Sequence, residues 1–136
     1  MKRLILICVC LFAATVAFAE PESVNLTDSD VVNFAKNYSI ISDKMETDIS
    51  LPEAENFLAS CGISGPDRIK KLGALGKSAA VIIGESEIDA ETAKMLKASG
   101  MDPFAQFTST LNPKDLQTVR SHAKEIIEAN KKYENR

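Results

Sequence analysis

Apolar residues recur at intervals of three and four along most of the chain, the period of an α-helix with one buried face. The first such seam predicts a helix over residues 28–46, with Thr27 as its N-cap and Asp30 completing an approximate capping box. Its seam residues are Val31, Phe34, Tyr38, Ile41 and Met45. The preceding residues 20–25 carry no such pattern, and we expect them to be a short flexible start.

The least polar stretch outside the N-terminal region runs from Pro66 to Gly84 and predicts a central helix. Its apolar residues keep the helical spacing: Ile69, Leu72, Leu75, Ala79 and Ile82. Interior glycines each cost about 1 kcal/mol of helix propensity, so a kink or break near Gly73–Gly76 is an alternative to one continuous helix. A short buried strand over residues 79–83 is a further alternative, although no second convincing strand exists to pair with it.

Turn and capping signals predict the remaining helices. Ser50 opens a helix that ends at Gly62, and a cap at Ser86 or Asp89 opens another that ends before Gly100. The apolar side of the latter consists of Ile88, Ala93, Leu96 and Met101. Two proline-led starts then predict a short helix over residues 103–110 and a long one over residues 113–133. The seam of the last helix is Leu116, Val119, Ala123, Ile126, Asn130 and Tyr133.

Together these elements predict an all-α protein, a compact bundle of five or six short helices. No internal repeat, low-complexity run or linker divides the chain, and the predicted loops are short. We therefore expect a signal peptide over residues 1–19 and one helical domain over residues 20–136.

The signal peptide is indicated by Lys2 and Arg3, an apolar run from Leu4 to Phe18, and the small-x-small site that ends at Ala19. Cleavage there would leave 117 of the 136 residues and direct the protein to the periplasm or outside the cell. No later segment approaches 18 continuous apolar residues, so no integral membrane segment is expected in the mature chain.

Charge limits the class of partner. The whole chain has 16 basic and 19 acidic residues, and the leader removes two of the basic ones, which leaves a net charge of −5. The remaining lysines and arginines are dispersed, whereas nucleic-acid binding needs them clustered. A nucleic-acid partner is therefore not expected.

Cys61 and His122 are the residues that most deserve a chemical interpretation. Only Cys61 remains once the leader is removed, so no intramolecular disulfide can form. Its place on an apolar helix face favours a buried, inert thiol over a reactive one. His122 is the only histidine in the chain and the only candidate base for a Cys61 nucleophile, although a surface or boundary histidine is the favoured interpretation.

Other sites are disfavoured by their spacing. The acids of residues 85–91 lack the pattern of a calcium loop and suit the first turn of a helix. Gly76-Lys77-Ser78 lacks the glycine that a phosphate loop needs five positions earlier, and one histidine cannot complete a usual metal set. Asn130, a polar residue in the last seam, is either a specificity determinant or part of a frayed helix end.

These observations favour an exported, non-enzymatic binding or interaction protein of unknown ligand. The partner would be another protein or a small apolar ligand, held in a groove lined by aromatic, Met and Ile side chains. No catalytic residue, metal ligand or cofactor is assigned, and the ligand-binding residues are not located. The alternatives are a small thiol enzyme or hydrolase that uses Cys61 and His122, and an envelope assembly or chaperone-like protein.

Overall fold

The computed structural model describes residues 20–136, which form eight helices and no strand. The leader predicted over residues 1–19 lies outside the described residues. The helices are α1 (Asp28–Lys36), α2 (Tyr38–Met45), α3 (Leu51–Ser60), α4 (Arg68–Glu87), α5 (Ala90–Ala98), α6 (Ala105–Thr108), α7 (Pro113–Arg120) and α8 (Ala123–Glu134). The prediction of an all-α compact domain is confirmed, whereas the count of five or six helices is wrong.

Two of the predicted helices are divided, and this accounts for the different count. The first breaks at Asn37, which has a φ of −103° and a ψ of 15°. Its side-chain Nδ2 donates hydrogen bonds to the carbonyls of Asn33 (2.9 Å) and Cys61 (3.2 Å). The last breaks at His122, which has a φ of −115° and a ψ of 26°. The apolar spacing continues through both breaks, so the seam alone does not reveal them.

The predicted helix starts are confirmed where a short polar side chain precedes an apolar face. Thr27 and Asp30 exchange side-chain and backbone hydrogen bonds, both 3.1 Å long, in a complete capping box. Ser50 opens α3 with a second capping box, Asp89 caps α5, and Asn112 caps α7. Each side chain satisfies a backbone N–H that the first helical turn leaves without a partner.

The central helix α4 is continuous from Arg68 to Glu87, so the alternatives of a break at Gly73–Gly76 and of a strand over residues 79–83 are wrong. Eleven of its residues are buried, and it packs against α3, α6, α7 and α8. Burying one large side chain such as Leu75 contributes about 1.5–3 kcal/mol, more than the roughly 1 kcal/mol that an interior glycine costs.

The segments α1–α2 and α8 lie side by side and run in the same direction. Contacts between them follow in order along both chains: Asp28 with His122, Tyr38 with Asn130, and Asp43 with Arg136. Their apolar seams face the core together with α4. The core thus forms where the two predicted seams and the central helix meet.

Asn130 belongs to this core rather than to a frayed end. It is only 6% exposed, and its Oδ1 accepts a 3.1 Å hydrogen bond from the Tyr38 hydroxyl. Tyr38 in turn packs edge-on against Phe34 and Tyr133, with ring centroids 5.6 and 5.9 Å away. The interpretation of a frayed helix end is therefore wrong.

Helix α5 lies at the edge of the bundle, after the end of α4, whereas the short α6 that follows packs against α4. No residue of α5 is buried, and the face predicted to be apolar leaves Ala93 and Met101 exposed. The predicted helix over residues 103–110 shortens to α6, and it is preceded by a turn in which Asp102 Oδ1 accepts the Phe104 N–H (2.9 Å). The Phe104 ring lies against Gly84 of α4, where a Cβ would collide with it.

Residues 21–26 form an N-terminal strap across the start of α7. The Asp115 carboxylate accepts hydrogen bonds from Ser23 Oγ (2.8 Å), Val24 N (2.9 Å) and Leu26 N (3.2 Å). Asn112 Nδ2 adds a 2.8 Å hydrogen bond to the carbonyl of Pro21. The expectation of a flexible start is therefore wrong for these residues.

None of the helices between residues 20 and 136 combines the length and the apolar composition that a membrane span requires.

Candidate functional site

A groove of about 410 Å³ lies between α1–α2 and α8, and we call it the α1/α8 groove. Its buried and half-buried residues are Val32, Ala35, Tyr38, Ser39 and Ala129. Its exposed residues are charged, and they are Lys36, Glu125, Glu128 and Lys132. The groove thus has a mostly apolar floor and a rim that carries both signs of charge.

The groove follows from the residues that the facing helices present. Ala35 of α1 and Ala129 of α8 pack on the core with side chains that end at Cβ, which leaves space above Tyr38. On α8, Glu125 and Lys132 are seven residues apart, which corresponds to about 10 Å along the helix axis. Along α8 the rim therefore passes from the acids Glu125 and Glu128 to the basic Lys132, above an apolar floor. This arrangement suits an elongated ligand with an apolar body and polar ends.

A second groove, of about 400 Å³, lies between the N-terminal strap, α4 and the segment before α7. Gly73, Ala74 and Leu111 form part of its lining, and Lys77 Nζ donates a 3.1 Å hydrogen bond to Thr110 Oγ1 at one side. Burial lowers the pKa of Lys77. Asp115, the buried acid of this groove, is already occupied by the strap, so we regard the α1/α8 groove as the better candidate site.

His122 lies at the corner between α7 and α8 with both ring nitrogens next to carboxylates. Nε2 is 2.9 Å from Asp28 Oδ1 of α1, and Nδ1 is 3.5 Å from Glu125 Oε1 of α8. The hydrogen bond to Asp28 raises the pKa of His122, burial opposes that effect, and Glu125 adds to it. His122 is therefore a boundary residue held between two acids.

Cys61 lies in the core at the end of α3 and is 5% exposed. Burial raises the pKa of its thiol, which disfavours the nucleophilic thiolate at neutral pH. The hydrogen bonds of the His122 ring to residues of the described chain go to Asp28 and Glu125, not to Cys61. The structure thus does not bring the two residues of the thiol-enzyme hypothesis together as a hydrogen-bonded pair.

Asp30 and Lys71 form a buried ion pair that apolar spacing did not indicate. Lys71 Nζ is 3.0 Å from Asp30 Oδ2 and also donates to the carbonyl (2.8 Å) and the hydroxyl (2.7 Å) of Ser64. Ser64 donates its N–H and its hydroxyl to Asp30 Oδ1, both at 2.8 Å. The pair is fully hydrogen-bonded and joins α1, α4 and the loop between α3 and α4, which fits a structural role.

The acids of residues 85–91 act separately in the structure. Glu85 forms a bidentate ion pair with Arg120 of α7, and Asp89 caps α5 through a 2.7 Å hydrogen bond from Thr92 N. Across residues 20–136, no group of three or more His, Cys, Asp or Glu side chains has a geometry that could hold a metal ion. Gly76-Lys77-Ser78 lies inside α4 and forms no loop.

Sequence reasoning did not locate the α1/α8 groove, the strap acid Asp115 or the buried Lys71. One signal for the groove was present, because alanines interrupt the larger side chains on the faces beside both seams, at Ala35 and Ala129. No comparable signal marked Lys71, which follows Lys70 in a stretch that reads as an ordinary basic helix start.

Comparison of the chain with models of protein families, with curated proteins and with solved structures finds no match.

Proposed function

We propose that this chain is an exported, non-enzymatic binding protein and that the α1/α8 groove holds its ligand. The observation that carries the proposal is the groove itself, about 410 Å³ of space with a mostly apolar floor and a charged rim. Ligand pockets of small molecules have this character: an apolar lining with few polar groups that fix orientation. The expected ligand is small and amphipathic, with an apolar body and a charged end.

The charges on the rim support this class of ligand. Lys36 and Lys132 offer ammonium groups to an anionic end, and Glu125 and Glu128 offer carboxylates to a cationic one. Tyr38 lies at the base of the groove, where its hydroxyl is bonded to Asn130 and only 2% of the residue is exposed. Export rests on the leader predicted from Lys2 to Ala19.

The test is native mass spectrometry on the protein purified from its own host. A stoichiometric extra mass is expected on the unmodified protein. Ala129→Trp fills the groove with an indole ring and should remove that mass, and Ala35→Trp should do the same from the opposite wall. Ala59→Trp places the same side chain on the exposed face of α3 and should leave the bound mass unchanged.

Circular dichroism of each variant establishes that the helical fold is retained before the masses are compared. A chain of bare mass in all samples would contradict the proposal. A bound mass that survives both groove substitutions would place the ligand elsewhere on the molecule.

Assembly is a second candidate function, and it is favoured by exposed apolar side chains in residues 90–101, which we call the α5 segment. Met95 and Met101 are 61% and 62% exposed, although a solvent-facing helix surface can be formed by polar side chains alone. The two residues are six positions apart in the sequence, and a contiguous exposed apolar patch is typical of protein–protein contacts. Under this candidate, the α5 segment would contact another copy of the chain or another envelope protein.

Sedimentation over a range of concentrations tests assembly. A mass that rises with concentration, and that returns to the monomer in Met95→Glu/Met101→Glu, would support it. Leu51→Glu is the matched control, because Leu51 is 71% exposed on a different helix. A monomer at all concentrations would exclude assembly with itself.

A further inference from the structure

His122 joins two elements that are distant in sequence. Its Nε2 lies 2.9 Å from Asp28 Oδ1 at the first residue of α1, and its Nδ1 lies 3.5 Å from Glu125 Oε1 in the first turn of α8. The His122 side chain is 18% exposed, whereas those of Asp28 and Glu125 are 78% and 52% exposed. The imidazole therefore sits at the boundary of the core, between two solvated carboxylates.

The protonation state of the imidazole decides whether its contacts with the two carboxylates are attractive. A neutral imidazole has one N–H, so its second nitrogen would present a lone pair to a carboxylate oxygen. An imidazolium has an N–H on each nitrogen and can donate to both acids at once. An acid 2.9 Å from one nitrogen and another 3.5 Å from the second nitrogen therefore suit the protonated ring better than the neutral one.

In the described part of the chain, two acidic side chains and no basic one influence the charge of the His122 ring. Asp28 faces it from α1 and Glu125 faces it from α8, and both raise its pKa. The neighbouring Lys124 helps to lower the pKa of Glu125. On the α7 side, Arg120 is engaged by Glu85. No cation among residues 20–136 forms a contact with the ring that would oppose its positive charge.

We propose that His122 is a pH-sensitive clamp, which in its protonated form fastens the start of α1 to the start of α8 and which weakens when the proton is lost, because the neutral ring keeps one N–H but no charge. Asp28 directly follows Thr27, the N-cap of α1, and the N-terminal strap precedes that cap. Loss of the proton therefore weakens one of the contacts that hold the N-terminal part of the chain on the α7–α8 corner. An exported protein experiences the external pH, so such a clamp would respond to it.

The first test is an NMR titration of the imidazole, which is unambiguous because the chain has one histidine. The nitrogen chemical shifts should show a doubly protonated ring with a titration midpoint above the ordinary value of 6.5. Asp28→Asn and Glu125→Gln should each lower the midpoint, Asp28→Asn by more because its contact is shorter. Glu128→Gln, one turn further along α8, is the control and should leave the midpoint unchanged.

The second test is thermal unfolding as a function of pH, with His122→Gln as the variant. The folded pKa is raised, so the stabilisation by the clamp is fully present below pH 6.5 and is lost as the pH rises through the folded value. The melting temperature of the parent should exceed that of His122→Gln at pH 5.5, and the two should converge at pH 9. A midpoint at or below 6.5, or a midpoint that neither acid variant moves, would overturn the proposal. If His122→Gln does not fold, Asp28→Asn replaces it in the same comparison, and a pH-independent difference between parent and variant would overturn the proposal equally.

Discussion

Asp30 is fully buried and still ionised, because four donors surround its carboxylate. Burial by itself would raise its pKa, but hydrogen bonds from Ser64, Lys71 and Thr27 outweigh burial and lower the pKa from 3.8 to about 2. Such a group stabilises the fold only while it is charged. At the scale of single residues, Asp30 is therefore a polar constraint on the fold that depends on pH.

This carboxylate predicts a defined loss of stability in acid. Because the folded pKa is below the unfolded one, the contribution is present above pH 3.8 and is lost as the pH falls through about 2. The loss should be about 2 kcal/mol, at 1.36 kcal/mol per pKa unit. Denaturant unfolding between pH 7 and pH 2 measures it, with Asp30→Asn as the variant that lacks the titrating group.

At pH 7, Asp30→Asn should cost about 3–5 kcal/mol, because Lys71 is then buried without its counter-charge. The exposed Asp48→Asn is the control and should change stability by less than about 0.5 kcal/mol. If the gap between the parent and Asp30→Asn stayed constant from pH 5 to pH 2, the depressed pKa would be wrong.

Substitution of Ser78 should increase the stability of the protein, in contrast to substitution of Asp30. Its side chain is fully buried in α4, and its Oγ has no hydrogen-bond partner within the described part of the chain. Ser78→Ala should therefore stabilise the protein by about 1 kcal/mol, because it removes an unpaired hydroxyl and adds helix propensity. Thermal or denaturant unfolding measures the change.

Ser42→Ala is the matched control, because Ser42 is also buried but its Oγ donates a 2.7 Å hydrogen bond to the Tyr38 carbonyl. That substitution should bring no gain. Destabilisation by Ser78→Ala would indicate that the hydroxyl is satisfied in solution.

At the scale of elements, helix starts could be predicted from sequence and helix interruptions could not. The capping boxes of Thr27 and Ser50 act within three residues, so local sequence reveals them. The break at Asn37 depends on a bond to the carbonyl of Cys61, 24 positions away. The exposure of α5 could not be predicted either, because an amphipathic pattern does not specify whether another element covers the apolar face.

The N-terminal strap depends on one carboxylate. Asp115→Asn replaces one of the two carboxylate oxygens, which accept from Val24 N and Leu26 N separately, with an N–H₂ that faces a backbone donor, and it removes the charge that both donors stabilise. We expect a loss of about 1.5–3 kcal/mol, the range for hydrogen bonds to a charged group. Hydrogen exchange resolved by residue should show faster exchange at Val24 and Leu26.

Asp102→Asn is a suitable comparison, because Asp102 also accepts a backbone N–H, from Phe104, but does so in the exposed turn between α5 and α6. It should leave the exchange of the strap unchanged. Slow exchange of the strap in Asp115→Asn would mean that other contacts hold it.

At the scale of the whole molecule, burial is divided unequally between the bundle and helix α5 at its edge. The bundle places the seams of α1, α2 and α8 around α4, whereas no residue of α5 is buried. Local stability follows buried apolar contacts, so the two parts should open with different free energies.

Native-state hydrogen exchange measures this difference. Amides of α5 should exchange much faster than those of α4. The comparison of similar length is α3, which buries Ala54 and Leu58 and should be slower than α5. Protection of α5 equal to that of α4 would indicate that another molecule covers it, and it would favour the assembly candidate.

The sequence by itself determined the helical class, most helix starts and the seam residues of the core. These features depend on capping and on a period of 3.6 residues, which act over one or two turns. Only the tertiary structure decided that Lys71 pairs with Asp30 and that Asp115 holds the strap. It also decided that His122 faces two acids rather than Cys61, and that a groove lies beside Tyr38. Glu125 is three positions from His122, but the Lys71–Asp30, Asp115–Val24 and His122–Asp28 contacts join residues 41 or more positions apart. The proximity of such residues is set by how helices pack, which no local pattern encodes.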